Sequence, residues 1–286
     1  MNIGFAKMHG SGNDFMLING TEHTTRLNLD KQLIQQWSDR HTGIGFDQLL
    51  IVDHPSVADV DFDYRIFNAD GSEVGQCGNG ARCVAHFVHS KGLTDKETIR
   101  VRSATRIMKI TRQNDNHIAV DMGSAEFEPE CIPFDPSGLV VVGEQTKKKL
   151  YTMNIAGYEL RFSALSFGNP HAVIRVNDVA ATEVAEIGAA LQAHRCFPES
   201  VNVSFARVCG SGLQARVYER GVGETKACGS GACAIAVVAR LHGWFADTPH
   251  TILVHLVGGS LEVRFDKDKV ELVGPAELVY EDRIEV

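Results

Sequence analysis

The chain has 286 residues, of which 44% are hydrophobic and 22% are charged, and its formal net charge is −8. These values are typical of a soluble globular protein with two domains, and the acidic balance argues against a nucleic-acid partner. The N-terminus has no charged segment followed by an apolar run, and no stretch reaches the roughly 18 apolar residues of a membrane span. We therefore expect a cytoplasmic protein that binds neither nucleic acid nor membrane.

The first half of the chain is predicted to consist mainly of strands. IGFAKM and FMLIN flank a Gly/Asn-rich turn and predict a hairpin, with Asn13 and Asp14 at its tip. A helix is expected over residues 31–40, where apolar residues share one face, and a second over residues 80–90. The remaining predicted strands are QLLIVD, VDFDYRIFN, TIRVRSA, RIMKITRQ and HIAVDMG.

The second half of the chain is again predicted to consist mainly of strands, and it follows a proline-rich segment. EFEPECIPFDPSG holds three of the eight prolines and is predicted to be a linker or a crossing segment, and a domain boundary is expected near residue 122. Helices are expected over residues 180–193 and 231–242. The other segments are predicted to be strands. Apolar and polar residues alternate in SLEVRFD, which favours antiparallel pairing with one solvent-exposed face. The pattern predicts an α+β fold of two pseudo-symmetric domains, each a mostly antiparallel curved sheet or barrel around a central helix.

One short pattern occurs twice in the chain. QCGNGARCVAHFV at residues 76–88 matches ACGSGACAIAVVA at residues 227–239, so Cys77 and Cys228 are 228 − 77 = 151 residues apart. The same offset aligns further pairs upstream. In each copy a strand leads through a Gly-rich turn to the cysteine and then to an Ala/Val-rich helix. The aligned upstream pairs are Arg65 with Arg216, Phe67 with Tyr218, and Glu73 with Glu224.

A cysteine at a helix start can act as a nucleophile, a redox thiol, a metal ligand or a proton acceptor. The unpaired N–H groups and the positive end of the helix dipole favour a thiolate there and can also hold a carboxylate. Seven scattered cysteines form a poor disulfide framework, and without a C-x-x-C pair a zinc site is disfavoured. The other five are expected to be small buried hydrophobes. They are Cys83, Cys131, Cys196, Cys209 and Cys233.

The pairing of Cys77 with Cys228 favours a symmetric task such as inverting a stereocentre. One thiolate would remove a proton from one face, and a thiol would deliver a proton to the other. Repulsion disfavours two neighbouring thiolates, so the pair would share one proton. Backbone N–H groups at the two helix starts would hold a substrate carboxylate as negative charge develops on it. They belong to Gly78, Asn79, Gly229 and Ser230.

Six motifs occur in this order along the chain: KMHGSGNDF, GFDQLL, FNADGSEVGQCGNGARC, FGNPHAV, VNVSF and YERGVGETKACGSGACA. Together they resemble the diaminopimelate epimerase family over nearly the whole chain. The resemblance implies a cofactor-independent isomerase that interconverts LL- and meso-diaminopimelate, with Cys77 and Cys228 as the acid–base pair. It also implies a homodimer, a final strand at about 275–286 that returns to the first domain (1–121), and an active site in the cleft to the second domain (122–274).

The same resemblance implies roles for further residues. His171 and Glu219 would tune the thiols, Arg220 would clamp the distal carboxylate, and Tyr280 would lie at the dimer interface. A substrate with two carboxylates and two ammonium groups needs an arginine and several amides, which both donate and accept. The implied substrate contacts are Asn13, Gln48, Asn68, Gly78, Asn79, Asn169, Asn202, Glu219, Arg220, Gly229 and Ser230.

Two alternatives remain open at this point. A related two-thiol racemase or epimerase acting on proline or hydroxyproline would have less need of Arg220. A non-catalytic redox switch, in which Cys77 and Cys228 form a disulfide on oxidation, would use the same thiols differently.

Overall fold

A computed structural model describes residues 2–75, 78–113, 117–143, 146–247 and 249–285, with the side chain of Thr146 excepted. The chain divides into two compact units. Unit 1 comprises Met1–Asp121 and Val273–Val286, and unit 2 comprises Met122–Leu272.

Unit 1 is built from strands with two α-helices between them. Strand β8 carries the chain across the boundary to unit 2. The elements are β1 (Asn2–Gly10), β2 (Asn13–Asn19), α1 (Lys31–Ser38), β3 (Gln48–Asp53), β4 (Phe62–Asn68), β5 (Glu73–Val74), α2 (Gly78–Ser90), β6 (Thr98–Arg102), β7 (Ile107–Arg112) and β8 (His117–Ser124).

The sheet of unit 1 combines antiparallel hairpins with parallel pairs. The predicted hairpin is confirmed: β1 and β2 pair antiparallel, and positive φ angles at Ser11 and Gly12 close a two-residue turn. Parallel pairing joins β2 to β3 and β4 to β6, because a helix-containing connection returns the chain to the same end. Helix α1 begins where the Asp30 side chain accepts the backbone N–H of Gln32, a standard N-cap.

Helix α2 is the central helix of unit 1. Residues 79–85, together with Phe87 and Val88, are buried, so the helix is enclosed on nearly all sides. It contacts strands β1, β2, β3 and β7. The position of its first residue is therefore set by the sheet around it, and with it the position of the backbone N–H groups at the helix start.

Unit 2 follows the same plan with more strands. Strand β18 returns the chain to unit 1, where β19 follows. The elements are β9 (Val140–Val142), β10 (Leu150–Ile155), β11 (Tyr158–Ser166), β12 (Pro170–Arg175), α3 (Val184–Gln192), β13 (Asn202–Cys209), β14 (Gly212–Glu219), β15 (Gly223–Thr225), α4 (Gly229–Leu241), β16 (Thr251–Leu256), β17 (Gly259–Asp266), β18 (Lys269–Pro275) and β19 (Glu277–Glu285).

The parallel strand pairings of unit 1 recur in unit 2. The parallel pairs β12–β13 and β14–β16 repeat β2–β3 and β4–β6, and the short β15 pairs with β14 as β5 pairs with β4. Helix α4 occupies the place of α2 and is buried along most of its length. Helix α3 packs closely on β14 because Gly188 has no side chain: a Cβ there would lie 2.5 Å from Cγ of Tyr218.

The predicted α+β class and its four helices are confirmed in the described residues, with boundaries shifted by a few residues. The structure corrects the interpretation of the proline-rich segment as a linker. Ile132 and Phe134 lie in the core cluster of unit 2, so this stretch is part of the core. Phe134 stacks on Phe197 with ring centroids 4.8 Å apart. Apolar side chains between the prolines drive this burial.

The cysteine burial prediction holds for Cys83, Cys196 and Cys233, whereas Cys131 and Cys209 are exposed. Cys131 ends a 3₁₀ turn and Cys209 ends strand β13, and chain segments at such ends face solvent. No helix within the described ranges is long and apolar enough to cross a membrane.

Candidate active site

Cys228 lies at the N-cap of α4, as its sequence pattern predicted, and its side chain is buried. The chain can turn tightly here because Gly231 faces the cysteine. A Cβ on Gly231 would lie 3.3 Å from Sγ of Cys228 and 3.3 Å from Cγ2 of Val217. A side chain at this position would displace the sulfur or the strand beneath it.

The surroundings of Cys228 act on its proton in opposite directions. Burial raises the pKa of the thiol well above its ordinary value, and the charge of Glu219 and a hydrogen bond to Glu219 raise it further. The backbone N–H of Gly231 and the hydroxyl of Ser230 lower the pKa. Oγ of Ser230 is 3.6 Å from Sγ of Cys228. The sulfur thus faces an acceptor that favours the thiol and donors that favour the thiolate.

A chain of hydrogen bonds fixes the orientation of Ser230. The amide of Asn169 donates to Oγ of Ser230 at 3.2 Å, and Oδ1 of Asn169 is 3.1 Å from Nε2 of His171. An amide oxygen only accepts, so Nε2 of His171 carries the proton. Because Asn169 donates to Ser230, the hydroxyl proton of Ser230 is directed away from the amide and can serve the sulfur of Cys228.

His171 is completely buried on strand β12. Burial, and to a lesser degree the charge of Arg220, lowers the pKa of His171 from 6.5 to about 3. Its Nδ1 has no hydrogen-bond partner among the described residues. The ring is therefore neutral at physiological pH and acts as a fixed hydrogen-bonding group in the folded protein.

This burial makes the stability of the protein depend on pH. Between pH 6.5 and about 3 the unfolded chain binds one more proton at His171 than the folded chain, so stability is lost as the pH falls through this window. The loss at this site is about 2 kcal/mol between pH 7 and pH 5. Urea unfolding at both pH values should show it in the parent protein and not in His171→Gln. An equal pH dependence of both proteins would contradict the prediction.

Asn202 and Arg220 lie beside this network in unit 2. Asn202 is the register partner of His171 across β12 and β13, and its amide donates to the Pro170 carbonyl at 3.0 Å. Oδ1 of Asn202 accepts the backbone N–H of Arg220 at 3.0 Å. Nη1 of the exposed Arg220 donates to the Glu199 carbonyl at 3.2 Å. The guanidinium is thereby positioned, and its fork of five donors suits a carboxylate.

In unit 1, Cys77 lies outside the described residues, and α2 begins at the next residue, Gly78. Asn79 is buried at this helix start, and its amide donates to Oδ1 of Asn13 at 3.4 Å. Oδ1 of Asn79 accepts from Nη2 of Arg82 at 2.9 Å. Nε of the fully buried Arg82 donates to the Pro275 carbonyl at 3.2 Å. Arg82 therefore ties the helix start to the C-terminal segment of the chain.

The carboxylates of Asp14 and Asp47 hold the hairpin tip that carries Asn13. Oδ2 of Asp47 accepts the Asn13 amide at 2.8 Å, and Arg40 bridges Asp14 and Asp47 at 2.7 Å each. Burial raises the pKa of Asp14, but hydrogen bonds from Arg40 and Lys7 outweigh burial and hold this pKa far below its usual range. Asp14 is thus an ionised acceptor, and the hydrogen bonds of both carboxylates fix the hairpin tip.

Gln48 and Asn68 complete the group in unit 1. They are register partners at the start of β3 and the end of β4, and Nε2 of Gln48 donates to Oδ1 of Asn68 at 3.0 Å. Nδ2 of Asn68 also donates to Oγ of Ser72 at 3.3 Å. In each unit the predicted site residues therefore lie at strand ends and at the start of a helix. Tyr280 lies on β19 and belongs to neither group.

Sequence reasoning missed the residues that hold these side chains in place. Asp47, Arg82 and Thr225 lie inside quoted motifs, GFDQLL, CGNGARC and GETKACGSG, but no role was predicted for them. Their position within a motif was the signal that could have found them. Among the described residues, no group of three or more His, Cys, Asp or Glu side chains is placed to hold a metal ion.

The fold is shared with solved isomerases. A hydroxyproline epimerase from Agrobacterium vitis superposes with a TM-score of 0.69 at 12% identity, covering 99% of this chain and 92% of that one. The profile of the diaminopimelate epimerase family matches residues 5–128 and 163–279. Diaminopimelate epimerases from Psychrobacter arcticus and Azotobacter vinelandii are 46% and 47% identical to the chain, covering 98% and 99% of it and 93% and 99% of their own lengths. The chain belongs to the diaminopimelate epimerase family, a family of isomerases.

Proposed function

We propose that the protein interconverts LL- and meso-diaminopimelate by moving a proton between two thiols and one Cα atom. The observation that carries the proposal is the site around Cys228. A buried thiol at a helix start faces the Glu219 acceptor on one side and the Ser230 donor on the other. Such surroundings can stabilise both the thiol and the thiolate, and a group that must give and take a proton needs both.

The reaction needs a base and an acid that change places. In one direction the Cys77 thiolate removes the Cα proton, the electron pair of the C–H bond moves toward the carboxylate, and the Cys228 thiol delivers its proton to the opposite face. The thiol and the thiolate have then exchanged. The reverse reaction begins from the exchanged pair, so neither an oxidant nor a reductant is consumed.

The reacting carboxylate would be held by backbone N–H groups at the helix starts. Gly229 and Ser230 are the first two residues of α4, and Gly78 and Asn79 are the first two of α2. The first N–H groups of a helix have no partner within the helix. They bind the carboxylate more strongly as charge develops on it, and removing one such donor costs about 3 kcal/mol in catalysis.

The rest of the substrate would be bound by amides and by Arg220. We assign the distal carboxylate to Arg220, which Asn202 and Glu199 position. The amino groups need acceptors, which an amide oxygen or a carboxylate provides. The residues proposed for these contacts are Asn13, Gln48, Asn68, Asn169, Asn202 and Glu219.

We further propose a cytoplasmic homodimer that supplies precursors of lysine and peptidoglycan. The support is the family membership together with the exposure of β19, where Leu278, Val279 and Tyr280 present apolar surface to solvent. The Tyr280 ring also packs edge-to-face on Phe5 at 5.9 Å. Light scattering of the purified protein and of Tyr280→Glu would test the dimer, because a charge at that position should dissociate it.

Hydrogen exchange tests the proposed reaction directly. Incubation with LL-diaminopimelate in deuterated water, without added cofactor, should place deuterium at the Cα atom and form the meso isomer. L-proline and trans-4-hydroxy-L-proline serve as control substrates and should exchange far more slowly. Absence of exchange and of meso product would refute the proposal, and preferential exchange of proline would assign the protein to another substrate.

A further inference from the structure

The two copies of the repeat differ at several positions before the cysteines, and two of these differences change the hydrogen-bonding groups near Cys228. The offset of 151 residues that aligns Cys77 with Cys228 places Glu219 opposite Asn68, and Thr225 opposite Val74. Strand pairing supports this alignment, because Val217 pairs with Thr225 in unit 2 and Ile66 pairs with Val74 in unit 1. One copy thus carries a carboxylate and a hydroxyl where the other carries an amide and an apolar side chain.

In unit 2 these two side chains are joined. Oγ1 of Thr225 donates to Oε1 of Glu219 at 2.5 Å. Glu219 in turn accepts a hydrogen bond from the thiol of Cys228, and its charge acts on the same proton. Thr225 lies on β15 and Glu219 ends β14, so the hydroxyl is carried by a strand paired to the one that ends in the carboxylate.

The hydroxyl restricts a side chain that would otherwise have several positions. Glu219 is only half-buried and has three rotatable side-chain bonds, so without a partner its carboxylate would sample solvent. A donor on a strand holds it at lower entropic cost than a mobile partner would. In unit 1, Val74 can offer no such hydrogen bond to Asn68.

We propose that Thr225 is a positioning residue that holds the Glu219 carboxylate against the Cys228 thiol, so that Cys228 retains its proton when no substrate is bound. The inference rests on the proposed function for its meaning in catalysis, since it makes Cys228 the acid and Cys77 the base of the substrate-free enzyme. The difference between the two repeat copies, Glu219 with Thr225 against Asn68 with Val74, encodes this assignment.

The experiment compares three proteins: the parent, Thr225→Val and Thr225→Ser. Valine keeps the β-branched shape and is the residue of the other copy, whereas serine keeps the hydroxyl. Each protein is labelled with methyl methanethiosulfonate over a range of pH, and the modification of Cys228 is followed by tandem mass spectrometry of the tryptic peptide 227–240. The midpoint of labelling is expected to fall by about one pH unit in Thr225→Val and to stay unchanged in Thr225→Ser.

Other outcomes decide against the proposal. Equal midpoints in all three proteins would overturn it, and so would an equal shift in Thr225→Ser, because serine restores the hydrogen bond. If circular dichroism shows that Thr225→Val is misfolded, Thr225→Ala replaces it. The same shift of the labelling midpoint is expected for Thr225→Ala. Labelling needs no substrate, so a shift in a protein that does not exchange diaminopimelate would support the role of Thr225 and refute the proposed function.

Activity provides a second measurement. The alkaline limb of the exchange rate, in the direction that uses Cys228 as the acid, should move to lower pH in Thr225→Val and not in Thr225→Ser. A merely structural role would lower the rate at every pH without moving this limb. An unmoved limb together with an unmoved labelling midpoint would overturn the proposal.

Discussion

Cys228→Ala is expected to lower the rate of conversion of LL- to meso-diaminopimelate by about 100- to 10,000-fold, the contribution of one general acid or base. The same loss is expected for Cys77→Ala, since each direction of the reaction needs both thiols. Formation of the meso isomer, followed by chromatography that separates the stereoisomers, provides the rate. Loss of the sulfur leaves no group at the N-cap of α4 that can give or take a proton.

The fold offers a matched control for each variant. Cys233 is fully buried in the same helix as Cys228, and Cys83 is fully buried in α2 after Cys77. Cys233→Ala and Cys83→Ala should keep most of the activity, with a stability loss of about 1 kcal/mol from the lost buried atom. An active Cys228→Ala, or a Cys233→Ala as inactive as Cys228→Ala, would contradict the assignment of the acid–base pair.

Arg220→Ala is expected to lower kcat/KM for diaminopimelate by about 10- to 150-fold, because hydrogen bonds to charged groups are worth about 1.5 to 3 kcal/mol each. Most of the loss should appear in KM, since the distal carboxylate is bound equally before and during proton transfer. Steady-state kinetics on the parent, Arg220→Lys and Arg220→Ala measure it. Lysine keeps the charge but not the fork of donors, so an intermediate loss is expected.

Arg161→Ala is the control for removing a surface arginine. Arg161 lies on β11 and pairs with Glu159 at 3.4 Å, and both side chains are largely exposed. Such a pair contributes little to stability, so this variant should show unchanged kinetics. If Arg220→Ala behaves like Arg161→Ala, the distal carboxylate is bound elsewhere, and the assignment of Arg220 is wrong.

Much of the fold could be predicted because its signals are local. Alternating apolar residues indicated the strands, and the Asn13 hairpin followed from a Gly-rich turn between two such runs. The offset between Cys77 and Cys228 indicated two similar halves. The parallel pairs were not predicted, because parallel pairing depends on where a long connection returns the chain, which no short pattern records.

The predicted burial of Cys131 and Cys209 was wrong, and so was the interpretation of the proline-rich segment as a linker, for a related reason. Both interpretations used composition, which gives the average preference of a residue type. The environment of Cys131 is decided by the elements that surround it. Likewise Ile132 and Phe134 are buried against elements that lie further along the chain, and Pro133 between them does not prevent this.

The sequence by itself indicated the family of this protein, and it predicted two thiols at matched helix starts and residue types that would recognise a diacid. Only the tertiary structure decided how Cys228 is held, because the groups that act on its proton, and the side chains that position those groups, lie on different strands, just before strand β12 and on helix α4. Glu219 and Thr225 lie on paired strands, and Asn169 reaches Ser230 across 61 residues of sequence. Hydrogen bonds depend on distance and direction in space, and residues far apart in sequence acquire both only when the chain has folded.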